Sequence, residues 1–163
     1  MINNIMITKD TAAKKIFVSR EFNAPVEEVW QAWTKSEFLD KWWAPKPWKA
    51  ETKLMDFTQG GKWLYAMIDP EGKNSCWCRV DFTEVGPGHR FSSTSLFCDE
   101  NGNGLNDMPK IHWINIFKPT NEGTTVEMEI NLDNEKDLKT IIEMGFEAGF
   151  TMGLNNLDEL LAK

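Results

Sequence analysis

The sequence is poor in the residues that most often carry chemistry. Its 163 residues include two histidines, three cysteines and one tyrosine. A nucleophilic Ser or Cys needs a base beside it. His89 lies in the turn-like "GPGHR", which leaves His112 as the one histidine expected to reach a cavity. The cysteines, at 76, 78 and 98, are odd in number and too sparse for a disulfide scaffold, so a reduced, cytoplasmic protein is expected. No basic patch occurs and the formal charge is −7, which argues against binding a phosphate backbone. The start, "MINNIMITKDTAAKK", lacks a signal pattern, and no apolar run approaches membrane-spanning length. Phosphate-binding glycine loops, internal repeats, low-complexity tracts and linkers are also missing.

What is present is globular: 41% of residues are hydrophobic and 26% charged, enough for one domain with a substantial core. Eight tryptophans stand against the single tyrosine, an excess that suits either an aromatic core or a cavity lined by flat apolar surfaces. After a polar segment, 1–13, a single domain is expected over 14–163. "KKIFVSREF" (14–22) alternates as a strand does. "NAPVEEVWQAW" follows, with Pro25 at a helix start, where its missing N–H costs nothing. Thr34 and Glu37 fit a capping box opening a second short helix, "SEFLDKWW", which "APKPW" ends. Six further strands joined by turn-rich stretches fill 48–132, and one helix of roughly seven to eight turns is expected over 134–162. The fold class is therefore α+β, an antiparallel sheet of six to seven strands covered by helix on one face.

The strand pattern nominates side chains for the inner face. Trp63, Tyr65 and Met67 alternate onto one face, as do Cys76, Cys78, Val80 and Phe82, and as do Val126, Met128 and Ile130. For 111–117 both alternations are apolar; His112 is placed inward. Glu127 and Glu129 should then face solvent. Two cysteines without a second ligand pair are weak for zinc and are read as small buried side chains. "DENGNG" (99–104) opens like a calcium loop, but its twelfth position is Lys110 instead of a bidentate glutamate, so a turn is expected.

The final helix poses a question of its own. "MGFEAGFTMG" (144–153) carries glycines at 145, 149 and 153, costing roughly 2.5–3 kcal/mol of helix propensity. Their spacing sets them on one face, flanked by Phe146 and Phe150. The expectation is that Gly149 lets the helix sit low on the sheet, with Gly145 nearer the edge of the stripe, so that Gly149→Ala should destabilise and Gly145→Ala be milder or even stabilising.

Three stretches, "PVEEVWQAWTKSEFLDKWWAPKPW", "DFTQGGKWLYAMIDPEGK" and "EMGFEAGFTMGLNNLDELL", resemble a family similar to the C-terminal domain of the activator of heat shock protein 90 ATPase. That family belongs to the SRPBCC group, whose fold is similar to START lipid-transfer domains and the birch-pollen allergen. The resemblance spans about Lys15 to Leu161. It implies the helix-grip fold: a curved antiparallel sheet around a long C-terminal helix, with two short helices after the first strand. It further implies a cavity between sheet and helix, which in related families holds apolar molecules, and it carries no agreed catalytic set. Trp42 and Trp43 are followed by Ala44 and Pro45 where the family usually has glycine and proline, and Phe150 stands where tryptophan is frequent, so pocket shape varies between members. The co-chaperone's separate N-terminal domain has no counterpart here, and little stimulation of a heat shock protein 90 ATPase is expected.

The function expected is binding of a small apolar or aromatic molecule by Trp63, Tyr65, Met67, Cys78, Val80, His112, Met128, Phe146 and Phe150. Trp33 and Trp43 would contribute near the mouth, and Tyr65 and His112 would orient a polar end of the ligand. No catalytic residue, metal or cofactor is assigned. Two alternatives stand beside it: a chaperone-modulating module using exposed tryptophans around 42–48, and a cyclase- or hydrolase-like enzyme using the same cavity. Nucleic acid and a membrane span are not expected, a protein partner is left open, and the chain is either a monomer or a homodimer.

Overall fold

A computed structural model describes residues 5–162. Eight strands form one antiparallel sheet: β1 (Ile5–Asp10), β2 (Lys15–Phe22), β3 (Lys49–Met55), β4 (Lys62–Ile68), β5 (Ser75–Gly86), β6 (Arg90–Cys98), β7 (Lys110–Pro119) and β8 (Thr124–Leu132). Their order is β1-β2-β8-β7-β6-β5-β4-β3. From β4 to β8 each strand pairs with its predecessor, as short turns require. The one long connection, from β2 to β3, crosses from one end of the sheet to the other and carries α1 (Val26–Thr34) and α2 (Ser36–Trp42). Register shifts at Thr52/Leu54 and Phe82/Glu84 bend β3 and β5.

The strand beyond the expected seven is β1. It lies inside the polar segment 1–13, of which residues 1–4 fall outside the described residues, as does Lys163 of the domain expected over 14–163. β1 pairs with β2 from Ile5↔Arg20 to Asp10↔Lys15. Ile5 and Ile7 pack half-buried against the core while Met6 and residues 8–10 are exposed, so the alternation is confined to three residues that are all apolar, and Lys9 suits an open edge.

Period-two alternation builds the inner face. Ile16, Val18, Arg20 and Phe22 of β2 are buried, as are Val126, Met128 and Ile130 of β8. On the outer face Glu127 pairs with Lys118 at 2.9 Å and Glu129 with Lys15 at 3.8 Å. β7 corrects the expected register. Ile111, Trp113, Asn115 and Phe117 face inward, while His112 faces out, its Nε2 2.9 Å from Asp133 and its Nδ1 3.0 Å from Thr94 Oγ1. Ile114 and Ile116 share the outward face with His112, and this is why hydrophobicity alone could not set the register.

The C-terminal helix is not continuous. α3 (Glu135–Glu143), capped by Asn134 Oδ1 accepting from Asp137 N at 2.8 Å, ends before Gly145. Gly145 has φ +88°, and α4 (Phe146–Leu161) starts after it. A left-handed residue costs a non-glycine about 1–2 kcal/mol, so glycine is here a hinge between two helices. The capping box expected from Thr34 and Glu37 is also absent. Lys35 holds the N-cap position of α2, and Thr34 Oγ1 donates to Trp30 O at 2.8 Å.

Candidate functional site

α4 is seated on the end of α2 and on β2. A Cβ added at Gly153 would lie 3.2 Å from Trp43 O and 3.4 Å from Trp42 O. Buried Asn156, one turn on, donates its Nδ2 to Ala44 O at 3.1 Å and to Trp42 O at 3.4 Å. The carbonyls that a helix leaves unpaired at its C-terminus are thus served by a neighbouring helix. Gly149 does not touch the sheet: the nearest atom to its added Cβ is Pro45 Cγ at 3.9 Å. The close approach belongs to Gly153 and to α2, which corrects the expectation for Gly149. Near the end of α4, buried Arg20 donates Nη1 to Asn155 Oδ1 at 3.0 Å and lies 3.6 Å from Asp158. Burial lowers the Arg20 pKa, and Asp158 acts against that shift.

The hinge at Gly145 and the two residues without bulk at 145 and 149 leave a cleft between α4, the segment after α2 and strands β4–β7. It encloses about 230 Å³. Trp43, Tyr65, Met67, Cys78, Phe146 and Phe150, six of the residues expected to bind ligand, line it. Unanticipated wall residues are Pro45, Cys76, Phe97, Ile111, Trp113 and Met144. Trp113 was missed through the register of β7, whereas Cys76 shares the face of Cys78 and was legible from alternation. Trp33, Trp63 and Val80 lie instead around a smaller inner void of about 30 Å³, next to Trp43 and Trp113. Met128 is fully buried in the core and lines neither space. His112, on the outer face, lines neither.

Trp43 is the centre of the aromatic set. Its ring lies 5.2 Å from Trp42, 5.7 Å from Trp63 and 6.0 Å from both Trp113 and Phe150. Edge-on geometry of this kind adds about 0.5–1.5 kcal/mol per pair beyond burial. Trp43 Nε1 donates to Tyr65 Oη at 2.8 Å, and the Tyr65 ring stacks on Trp63 with centroids 4.1 Å apart. Burial pushes the Tyr65 phenol well above its ordinary pKa, with Cys78 adding to the shift. Cys78 pairs directly with Tyr65 across β4 and β5, with Cys76 two residues away on its own strand; hydrogen bonding between the two thiols lowers that of Cys76 to about 7 and raises that of Cys78, burial adding to the rise. In the inner void the Trp33 Nε1 and Asn115 Oδ1 atoms are buried without a hydrogen-bond partner.

Other candidate chemistry resolves into structure. Asp99 turns its carboxylate into its own loop, Oδ1 accepting from Asn101 N and Asn103 N at 2.9 Å each, which is a turn and not a cation loop. Among the described residues no three His, Cys, Asp or Glu side chains gather as metal ligands. Among them, too, no helix is long and apolar enough to cross a membrane. Trp42, expected at an exposed surface, is fully buried, and its Nε1 donates to Ala32 O at 2.8 Å.

An antiparallel sheet gripping a C-terminal helix, with two short helices between its second and third strands, defines the helix-grip class of α+β proteins. The chain belongs to the family described as activator of Hsp90 ATPase homolog 1-like protein, whose model matches residues 23–162. Solved structures agree. A protein of Arthrobacter aurescens is 27% identical with a TM-score of 0.90, the match covering 96% of this chain and 91% of that one. A protein of Nitrosomonas europaea is 31% identical with a TM-score of 0.78, covering 93% and 96%. The AHSA1 protein of Silicibacter pomeroyi shares the fold at 22% identity and a TM-score of 0.72, covering 91% of this chain and 97% of that one. No curated protein matches the chain.

Proposed function

We propose that the chain binds a small apolar or aromatic molecule in the cleft between α4 and strands β4–β7. The observation that carries this reading is the cleft itself: about 230 Å³ walled by aromatic, methionine and proline side chains, with no Asp, Glu, Lys, Arg or His among its lining. An apolar cavity of roughly 150 Å³ stays dry and takes up benzene, so this space suits a ligand of one or two rings or a short acyl chain. The hydrogen-bonded Trp43–Tyr65 pair and Ser95 supply the few polar atoms that orient such a ligand. With His112 on the outer face, the cleft has no histidine to serve as a general base, which favours binding over a cyclase- or hydrolase-like reaction.

The family name raises modulation of a chaperone ATPase as a second reading. Burial of Trp42 removes part of the tryptophan surface on which that reading relied. Titration with the fluorescent probe 1-anilinonaphthalene-8-sulfonate tests the first reading. Emission should rise on binding, fall when aromatic or fatty competitors displace the probe, and change with tryptophan fluorescence. Saturating probe without a signal, on protein that unfolds cooperatively, would refute the binding reading. Several-fold stimulation of a bacterial heat shock protein 90 ATPase at equimolar protein would favour the second.

A further inference from the structure

Cys76 and Cys78 stand two residues apart on β5 and both face the cleft. They continue a line of polar groups that begins inside the aromatic set: Trp43 Nε1 donates to Tyr65 Oη, and Tyr65 pairs directly with Cys78 across β4 and β5. Cys78 is buried, whereas Cys76 is exposed at the rim. Of the two thiols, that of Cys76 is therefore the one accessible from the mouth of the cleft, with Cys78 behind it in the wall. Cys98, the third cysteine, pairs with Trp77 across β5 and β6, so it belongs to the opposite face of the sheet. Burial raises its thiol instead.

We propose that Cys76 is a covalent capture site for apolar electrophiles of the α,β-unsaturated carbonyl class, held in the cleft while the bond forms. This rests on the ligand-binding reading of the cleft. The deprotonated Cys76 sulfur supplies an electron pair to the β-carbon, forming a C–S bond. The C=C π pair moves onto the carbonyl as an enolate, which takes a proton from water at its α-carbon. The sum is thiol plus enone giving a thioether; nothing is oxidised or reduced and no group leaves. The thiolate is the attacking species, and a thiol titrating at about 7 is close to half ionised at neutral pH, against about 1% for the ordinary value of 9.0. The titratable groups facing Cys76 are Cys78 on its own strand and, through it, Tyr65 on β4. Met144 and Phe146, from the hinge between α3 and α4, bring no charge.

The test uses the full chain with two electrophiles, small polar iodoacetamide and the aromatic enone phenyl vinyl ketone, read by intact mass and peptide mapping. Iodoacetamide should label Cys76 first, with half-maximal rate near pH 7, and Cys78→Ala should move that midpoint up by about one unit or more. Phenyl vinyl ketone should react with Cys76 at least about tenfold faster than with N-acetylcysteine at equal thiolate, because the cleft holds it in place. Gly149→Leu, which fills the cleft, should abolish that advantage and spare the iodoacetamide rate. Labelling of Cys98 in preference, a midpoint unmoved in Cys78→Ala, or no enone advantage would each overturn the proposal. Anilinonaphthalenesulfonate binding to Cys76→Ser separates the two failures: retained binding means that only covalent capture is wrong, and lost binding with lost enone advantage means that the cleft takes no apolar ligand.

Discussion

The indole of Trp43 donates its Nε1 proton to the phenol oxygen of Tyr65 over 2.8 Å, tying the end of α2 to the middle of β4 beside the cleft. Removing the acceptor leaves a half-buried indole N–H without a partner. Tyr65→Phe should therefore destabilise by about 1–3 kcal/mol, more than an ordinary lost hydrogen bond. Chemical denaturation checks it, and the double variant Trp43→Phe, Tyr65→Phe should lose less than the two single changes together.

Gly153 and Gly149 should respond to alanine in opposite directions. At Gly153 the new methyl meets two backbone carbonyls of the α2 end at 3.2 and 3.4 Å, and overpacking of about 1–3 kcal/mol is expected. At Gly149 only Pro45 Cγ is near, at 3.9 Å, so the gain in helix propensity dominates and stability should rise by up to about 1 kcal/mol. Denaturant melts of the two variants decide it; loss of stability in Gly149→Ala would show that α4 lies lower than described.

Gly145→Ala is expected to cost about 1–2 kcal/mol although nothing lies within 4 Å of the added methyl, because φ is +88° there. Gly145→Asn should cost less, asparagine being tolerant of the left-handed region. Equal stability of wild type and Gly145→Ala in a denaturant melt would mean that the two helices are continuous in solution.

Acid should loosen the β4–β5 turn. Burial acts to raise the Asp69 pKa, but hydrogen bonds from Asn74, Lys73 and Gly72 outweigh it and hold the carboxyl below its ordinary value of 3.8. A depressed folded-state pKa stabilises at pH values above the unfolded one, and that contribution is lost as pH falls through the folded value. Stability should thus fall below about pH 4, and Asp69→Asn should flatten that fall. Identical acid limbs for wild type and variant would refute this role.

Much of the molecule could be read from the chain alone. Seven strands, the two short helices and the inner face of β4, β5 and β8 follow from period-two alternation and from prolines and turn residues, which act locally. Five of the cleft residues followed from the same alternation and from the face that Phe146 and Phe150 share, and Trp43 from its place beside the short helices. The rest depended on partners distant in sequence. Arg20 reads as a surface residue until Asn155 and Asp158 come across from α4 to pair with it. His112 is expected inward from a strand apolar on both faces, yet it is Trp113 that faces in, its Nε1 reaching Ser95 Oγ at 3.0 Å on β6. Glycine spacing marked a face of the last helix, but only the positive φ at Gly145 and the α2 carbonyls beside Gly153 show which glycine turns the chain and which admits a neighbour. Local pattern encodes periodicity and its interruptions; the space left beside a residue is a property of the elements packed around it.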